Sequence, residues 1–422
     1  MSSLSEPLAR IAAISLHTSP LDQPGTGDSG GMNVYVRSVT EGLARRGIAV
    51  DVLTRCAGRG VPQVEHLGPL TRIVQVNAGP CAPTPKDDLP GLLPRFEEGI
   101  VSWEDGEGPY DLVHAHYWLS GRVGLEASAR WGVPLVVSFH TLGEVKNLAL
   151  PDGMEPAHRI RTERRAIAAA DRVLVPTATE AENVVALYGA SGDRVRVVPS
   201  GVDRTVFAPR SKEEARRRLG LEAGTVLLFV GRLQPLKGPE VAIRAAAEVI
   251  RRGWDAVLVV LGGPSGPGGP SYAEDLREVA IREGVGERVV FLDPRPHEQL
   301  PWVYSAADVL VMPSRSESFG LAALEAQACE VPVVAASVGG LRHVVEDGIT
   351  GLLVQGHEPA DHTEAILRIL GDPGLAVGLG RAGRRRAGTF GWDEATDGVL
   401  DVYGELLPGL APAALGSTAG IV

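Results

Sequence analysis

Two glutamates with seven residues between them follow an apolar run in the second half of the chain. Glu317 and Glu325 come shortly after residues 308–313. That run predicts a buried strand ended by its proline, and Ser318 could cap a helix whose first N–H groups are free to bind a diphosphate. Eight helical residues return to within roughly 80° of the starting direction, so both carboxylates share much of one face. One carboxylate could bind sugar hydroxyls and the other a ribose. The alternative is that both are ordinary glutamates, one exposed and one on a helix, without a role in binding.

The loop at residues 231–238 carries the second chemical signal, because it follows a wholly apolar stretch and precedes a helical pattern. Arg232 offers a planar fork of N–H donors and Lys237 a point charge, which together suit the two phosphates of a nucleoside diphosphate. Charged residues on an ordinary surface are the alternative. The position directly after a strand favours phosphate binding.

Residues 23–36 form a glycine-rich segment that opens another helical pattern. Glycines at a helix start let backbone amides approach a phosphate closely. The segment contains neither the Gly-x-Gly-x-x-Gly fingerprint nor a Gly-Lys-Ser/Thr phosphate loop. A simple turn is therefore the alternative interpretation.

Three histidines follow or lie in predicted strands. His114 and His116 alternate along one strand, so both face the same side and could chelate a metal if a third ligand were apparent. None is apparent, which favours a packed histidine pair. His140 ends the next strand and is the better candidate for contact with a substrate.

The 422-residue chain carries a net charge of −11. Nucleic acids and membrane surfaces require a basic footprint, so we expect neither partner. No apolar run approaches the roughly 18 residues that span a bilayer, and the first residues lack a basic segment followed by an apolar one. These features predict a cytoplasmic globular protein.

The three cysteines are Cys56, Cys81 and Cys329. They are odd in number, far apart in the sequence and form no Cys-x-x-Cys pair, so the spacing indicates neither a disulfide framework nor a cysteine zinc site. We expect buried thiols.

Short aliphatic runs alternate with helical patterns along the whole chain, as is typical of parallel βαβ units. The pattern starts again after residues 201–209. We expect two doubly wound, Rossmann-like α/β domains, residues 1–203 and 204–392, that face each other across a ligand-binding cleft. The predicted strands are residues 11–16, 50–54, 112–116, 135–140, 173–176 and 195–199, then 226–231, 256–262, 289–292, 309–312, 331–335 and 351–354.

Taken together, these motifs resemble the family 4 retaining glycosyltransferases of GT-B fold. The resemblance covers almost the full length and includes the histidine segments at 114–121 and 140–142 and the glycine-rich segment at 339–351. Residues 17–28 resemble most closely the branch that moves N-acetylglucosamine from UDP to an inositol phosphate, the first step of mycothiol biosynthesis.

The resemblance also implies a mechanism. It implies retention at the anomeric carbon by front-side attack, with no metal or other cofactor required for catalysis. It implies a structural Mg²⁺ held by the carbonyls of Tyr304, Ser305 and Ala307, and a terminal helix at 393–410 that crosses back to the first domain. A homodimer is the expected oligomer.

Residue roles follow from the same resemblance. The catalytic residues would be Arg232, Lys237, Glu317 and His140. The UDP-sugar donor would be bound by Gln23, Pro24, Gly31, Arg232, Lys237, Arg295, Glu317 and Glu325. The phosphorylated cyclitol or sugar acceptor would be bound by His17, Asp28, Ser29, Gly30, Gly31, Met32, Asn33, Lys86, Tyr117, Thr141 and Arg159, with Arg161 the alternative to Arg159.

Two positions depart from the family pattern. Glu330 stands where glycine is usual, and Glu144 adds a carboxylate near the predicted acceptor phosphate. Other activities therefore stay open: transfer from another nucleotide sugar or to another acceptor, as in sucrose-phosphate synthases or enzymes acting on natural products. An enzyme resembling UDP-N-acetylglucosamine 2-epimerase and a non-catalytic sugar-binding protein are the alternatives from other classes.

Overall fold

The computed structural model describes residues 7–410 except residues 59, 151–154, 222–223 and 267. Within these residues the chain forms two α/β halves, each built on one mainly parallel sheet, which confirms the predicted fold class. Residues 1–6, on which part of the localisation prediction rests, lie outside the described residues.

The first half contains an eight-stranded sheet. Its strands are β1 (Ala9–Ile14), β2 (Ile48–Arg55), β3 (Val64–Gly68), β4 (Thr71–Val76), β5 (Leu112–His116), β6 (Leu135–Ser138), β7 (Arg172–Val175) and β8 (Val195–Val197). They lie in the order β3-β4-β2-β1-β5-β6-β7-β8, and β3 pairs antiparallel with β4. Both faces are covered, because Ala12 and Ile14 pack into one buried cluster while Ile11 and Ala13 pack into another.

The second half contains a parallel six-stranded sheet in the order β11-β10-β9-β12-β13-β14. The strands are β9 (Thr225–Val230), β10 (Ala256–Leu261), β11 (Val289–Leu292), β12 (Val309–Met312), β13 (Val333–Ala336) and β14 (Leu352–Val354). Each corresponds to one predicted strand. The hairpin of β3 and β4 in the first half was not predicted, since its first strand is polar and half-exposed.

Helices cover both sheets. In the first half they are α1 (Gly31–Arg45), α2 (Leu93–Glu107), α3 (Tyr117–Trp131), α4 (Gly143–Ala149), α5 (Ala157–Ala169) and α6 (Ala178–Tyr188). The later helices are α7 (Lys212–Leu219), α8 (Pro239–Arg251), α9 (Gly269–Arg282), α10 (Leu300–Ala306), α11 (Leu321–Ala328), α12 (Leu341–Val344), α13 (Pro359–Leu370), α14 (Pro373–Ala387) and α15 (Trp392–Gly404). None of the helices in the described part of the chain is long and apolar enough to cross a bilayer.

The last of the described helices, α15, returns to the first half and packs on α1. Arg46 Nε donates to Asp397 Oδ1 at 2.6 Å. Gly42 must lack a side chain, because a Cβ there would lie 2.2 Å from Thr396 Oγ1. The C-terminal helix therefore ties the chain back to the first sheet.

The order of the strands places the motifs. Strand order reverses between β1 and β5 in the first sheet and between β9 and β12 in the second. Ligands of such sheets bind at these reversals, beyond the carboxyl ends of the strands. The glycine-rich segment follows β1, the Arg-Lys loop follows β9 and Glu317 follows β12, while β5 ends at His116 and leads directly into α3.

The prediction of three free thiols was wrong. Cys56 and Cys81 form a disulfide, with their Cα atoms 4.9 Å apart. They follow β2 and β4, which are hydrogen-bonded neighbours, so the ends of two strands far apart in sequence meet. Cys329 is a free, buried thiol, as expected.

Candidate active site

A cavity of about 1020 Å³ lies between the carboxyl ends of the two sheets. Loops from both halves line it, so a ligand there would contact both. The predicted site residues that line it are His17, Pro24, Asp28, Gly30, Gly31, Met32, Lys86, Tyr117, His140, Thr141, Arg159, Arg232, Lys237, Arg295, Glu317 and Glu325.

Arg232 lies where the two halves meet. Its Nη1 donates to Ser265 Oγ at 3.3 Å and to the Asp28 carbonyl at 3.5 Å, and lies 3.8 Å from Asp28 Oδ1. The guanidinium is partly exposed and has donors left for an incoming anion. The phosphate-binding candidate therefore also contacts the glycine-rich loop of the first half.

Lys237 and Glu317 form an ion pair at the cavity wall, with Nζ and Oε2 2.5 Å apart. The loops that carry them are brought together by Gly238, which has φ +66° and whose Cβ, if present, would lie 2.5 Å from the Pro313 carbonyl oxygen. Only glycine tolerates both the conformation and the contact. The Arg-Lys loop and the glutamate loop thus form one surface.

Glu325 is nearly buried and both of its oxygens are engaged. Oε2 accepts from the Tyr304 hydroxyl at 2.7 Å, and Oε1 lies 3.2 Å from His297 Nε2. Burial opposes a charge on His297, but the hydrogen bond and the charge of Glu325 outweigh burial and raise the pKa of the imidazole. The carboxylate is held rigidly at the edge of the cavity.

The histidines form a buried network rather than a metal cluster. His116 Nδ1 lies 3.1 Å from His140 Nε2, and His114 bonds Ser138 Oγ at 2.9 Å and the Tyr403 hydroxyl at 2.8 Å. Burial lowers the pKa of both His114 and His140 to about 3. His140 is therefore neutral at the cavity and suited to hydrogen bonding rather than proton donation.

Backbone strain coincides with this network. His140 has φ +59°, a left-handed conformation that non-glycine residues rarely adopt. Among the residues whose placement is described, no group of three or more His, Cys, Asp or Glu side chains could hold a metal ion. The strained backbone instead aims the His140 ring at the cavity.

Arg159 lines the part of the cavity that the first half forms, and is almost fully buried. Its Nε donates to Glu163 Oε1 at 2.7 Å, and its Nη2 donates to the Thr141 carbonyl at 3.0 Å. Its Cζ lies 5.0 Å from the centre of the Tyr117 ring, and Lys86 Nζ lies 4.7 Å from the same ring. Four predicted acceptor residues therefore form one cluster, in which Lys86 and Arg159 lie against the Tyr117 ring and Arg159 bonds Thr141.

Lys146 and Glu155 line this part of the cavity and were not predicted. Burial, followed by the charge of Arg159, lowers the pKa of Lys146 to about 8 although Glu155 opposes the shift. Sequence reasoning missed Lys146 because it weighed Glu144, two residues earlier on α4. The rotation of α4 about its axis determines that the side chain of Lys146, and not that of Glu144, lines the cavity.

Comparison with known proteins identifies the family. The Glycosyl transferase 4-like domain matches residues 30–201 and the Glycosyl transferases group 1 domain matches residues 211–386. A D-inositol 3-phosphate glycosyltransferase of Acidothermus cellulolyticus is 51% identical over 94% of this chain and 90% of its own length. One of Thermomonospora curvata is 48% identical over 95% of this chain and 96% of its own length.

The chain belongs to the D-inositol 3-phosphate glycosyltransferase family. It is an enzyme that transfers a sugar, and its fold is GT-B. Among solved structures, the sucrose-phosphate synthase of Thermosynechococcus elongatus superimposes with a TM-score of 0.88 at 33% identity, covering 94% of this chain and 99% of that one.

Three of the residues predicted to bind donor or acceptor in this glycosyltransferase are not at the cavity surface. Gln23 Nε2 donates to the Pro294 carbonyl at 2.9 Å and so bridges the two halves. Asn33 is buried and holds the start of α1, because its Oδ1 accepts from Gly30 N at 2.9 Å. Ser29 is buried, and its hydroxyl lies 3.4 Å from Asp22 Oδ2. All three shape the glycine-rich loop that lines the cavity.

The carbonyls predicted to hold Mg²⁺ lie at the C-terminal end of α10. Oxygen atoms at the negative end of a helix fit a hard cation. The Tyr304 carbonyl already accepts from Ala307 N at 2.9 Å, and the intervening Ala306 carbonyl accepts from Arg216 Nε at 3.0 Å. The protein thus already engages part of this helix end, and a structural Mg²⁺ there stays a prediction.

The two departures from the family pattern lie away from the cavity. Glu144 Oε1 pairs with Arg164 at 2.9 Å on the outer side of α4, so its charge is neutralised outside the cavity. Glu330 has φ +61°, which explains why glycine is usual there, and its carboxylate pairs with Arg384 at 2.9 Å. Neither residue lines the cavity.

Proposed function

We propose that this enzyme transfers N-acetylglucosamine from UDP-N-acetylglucosamine to 1D-myo-inositol 3-phosphate with retention, the reaction that begins mycothiol biosynthesis. The observation that carries the proposal is a single cavity lined by cations from both halves. Arg232 and Lys237 come from the second half, and Lys86 and Arg159 from the first. This arrangement suits a nucleoside diphosphate and a phosphorylated acceptor bound together. The curated relatives are named for the same acceptor.

The chemistry follows from the charges. The bond between the anomeric carbon and the β-phosphate oxygen breaks, and the acceptor hydroxyl attacks from the same face. Its proton passes to the departing β-phosphate, so UDP leaves as the glycoside forms. Arg232 and Lys237 would stabilise the charge that grows on that phosphate, and would therefore favour the transition state over the ground state.

The remaining groups would orient the donor. Neutral His140 would bond a hydroxyl of the donor sugar, Glu317 would bind others, and Glu325 would accept from the ribose. Ligand contact with both halves would exclude water and limit hydrolysis of the donor. No step requires a metal, so turnover should persist in EDTA. A homodimer and a cytoplasmic location stay predictions.

The direct test mixes purified enzyme with UDP-N-acetylglucosamine and measures UDP release with and without inositol 3-phosphate, followed by the mass of the product. Release that depends on inositol 3-phosphate, with one added N-acetylhexosamine, would support the proposal. Release of free epimerised sugar without an acceptor would indicate an epimerase. UDP binding without transfer to any acceptor would indicate a sugar-binding protein. Transfer only to another acceptor would replace the proposed substrate.

A further inference from the structure

The carboxylate of Glu155 lies inside the acceptor side of the cavity, between two cations. Oε2 accepts from Arg159 Nη1 at 2.8 Å, and Oε1 forms a close ion pair with Lys146 Nζ. The backbone of Glu155 is anchored, because its N–H donates to Asn147 Oδ1 at 2.6 Å. A carboxylate bonded at both oxygens by basic side chains occupies the place where a phosphate would be held.

A second observation at the same place points to a ligand-binding site. The hydroxyl of Tyr117 is buried and has no hydrogen-bond partner among the described residues, although the ring lines the cavity. Tyr117 also has φ +76°, a strained conformation that the surroundings must impose. An unpaired buried hydroxyl beside Lys86 and Arg159 requires an acceptor or donor atom that the described residues do not supply.

The two glutamates that bind Arg159 differ in how firmly they are held. Glu163 is fully buried, and its carboxylate also accepts from Gly143 N at 3.0 Å and from the Tyr188 hydroxyl at 2.5 Å. The side chain of Glu155 is 15% exposed, and its described side-chain partners are Lys146 and Arg159. Glu163 is therefore a permanent support of the site, whereas Glu155 can turn away.

The charges of the cluster match a phosphate once Glu155 has moved. Lys86, Lys146 and Arg159 carry three positive charges, and the buried Glu163 cancels one of them. Two positive charges remain, which would balance the two negative charges of a phosphate dianion. With Glu155 in place one of these is cancelled as well, so the carboxylate opposes the binding of any anion.

We infer that Glu155 is a built-in competitor of the acceptor's phosphate: its carboxylate holds Lys146 and Arg159 in the empty enzyme and is displaced when the phosphate binds. Lys146 is then a further phosphate-binding residue. The competition sets specificity, because a dianion displaces the carboxylate whereas a monoanion or an uncharged cyclitol does not. The inference rests on the proposed function only in assuming a phosphorylated acceptor.

The test replaces Glu155 by glutamine, which keeps the shape and removes the charge. Inorganic phosphate serves as the probe, by calorimetric titration of the enzyme and by inhibition of transfer at varied acceptor concentration. In Glu155→Gln, phosphate should bind about tenfold more tightly and the acceptor KM should fall by about the same factor, as expected for one desolvated charge contact. In Lys146→Met the dissociation constant of phosphate and the acceptor KM should each rise by about tenfold. The matched control is Glu144→Gln, which removes a carboxylate on the outer side of α4 and should change neither constant.

UDP titration measures binding at the donor side of the cavity and thereby shows whether each variant is folded. Weaker or unchanged phosphate binding by a Glu155→Gln enzyme that still binds UDP would overturn the inference, since Glu155 would then merely support the cations. If Glu155→Gln fails to bind UDP, Glu155→Asp, whose shorter side chain cannot bridge both cations, takes its place with the same expected direction. Tighter phosphate binding without transfer to inositol 3-phosphate would refute the proposed function and leave this inference standing.

Discussion

Lys237 Nζ lies 2.5 Å from Glu317 Oε2, so the cation predicted for the diphosphate and the carboxylate predicted for the donor sugar are each other's partner. Both side chains are less than one-fifth exposed. The pair joins the loop after β9 to the loop after β12, and thereby fixes the distance between the phosphate and sugar contacts. Loss of either residue leaves a partly buried charge without its partner.

Replacing Lys237 by methionine should lower kcat by a factor on the order of 10² to 10³, because a preorganised donor to the leaving phosphate is lost. Steady-state kinetics at saturating substrates would measure the change. The control is Lys212→Met, which breaks the Lys212–Asp308 ion pair on the surface and should leave kcat unchanged. A Lys237→Met enzyme with wild-type kcat would refute the role of Lys237 in the transition state.

Acceptor binding should weaken as the pH rises through about 8, where Lys146 loses its proton. Burial and the charge of Arg159 lower the pKa of this amine, so its charge disappears well below the usual range for lysine. The acceptor KM should rise above that pH while the donor KM stays constant. The groups that face the amine are Arg159, Glu155 and Lys86.

Lys146→Arg provides the matched variant for this pH dependence, because a guanidinium stays protonated in proteins. Its acceptor KM should lack the rise above pH 8 seen in the wild type. Identical profiles for the two enzymes would show that another group causes the pH dependence.

Replacing Glu330 by glycine should raise the free energy of unfolding by about 0.5–1 kcal/mol, because glycine adopts its left-handed conformation without strain. The lost ion pair with Arg384 is partly exposed and contributes little. Urea unfolding would measure the difference. Glu330→Ala separates the two effects, since it removes the ion pair but keeps the strain, and should not stabilise. Equal stability of the glycine and alanine variants would disprove the strain argument.

Breaking the Cys56–Cys81 disulfide should destabilise the enzyme and weaken acceptor binding. The bridge spans 25 residues, for which loop-closure entropy predicts about 3.5 kcal/mol. It also anchors the loop that leads to Lys86, together with Arg55, whose guanidinium donates to the carbonyls of Pro80 and Ala82. Cys81→Ser should therefore lower the unfolding free energy and raise the acceptor KM.

Thiol titration of the unfolded, unreduced protein provides the chemical check on that pairing and should detect one thiol, that of Cys329. Cys329→Ser is the matched control, because it removes a cysteine without touching the bridge or the acceptor loop. Three titratable thiols in the unreduced protein would contradict the disulfide.

The sequence alone determined how strands and helices alternate. It also determined which loops carry the predicted ligand-binding residues. Apolar runs of strand length are local features, and in a doubly wound sheet the residues that follow a strand lie at the ligand-binding edge. Arg232, Lys237, Glu317 and His140 could therefore be assigned to one cleft from local pattern. Each lies in a loop that follows a recognisable strand.

Only the tertiary structure decided which side chains pair across that cleft. Cys56 meets Cys81 because β2 and β4 are neighbours in the sheet, an adjacency that no spacing in the sequence encodes. Lys146 rather than Glu144 faces the acceptor side because α4 packs on α5 in one rotation, which also brings Glu155 between Lys146 and Arg159. Such contacts join residues from separate elements, and they depend on the order and rotation of whole elements rather than on local pattern.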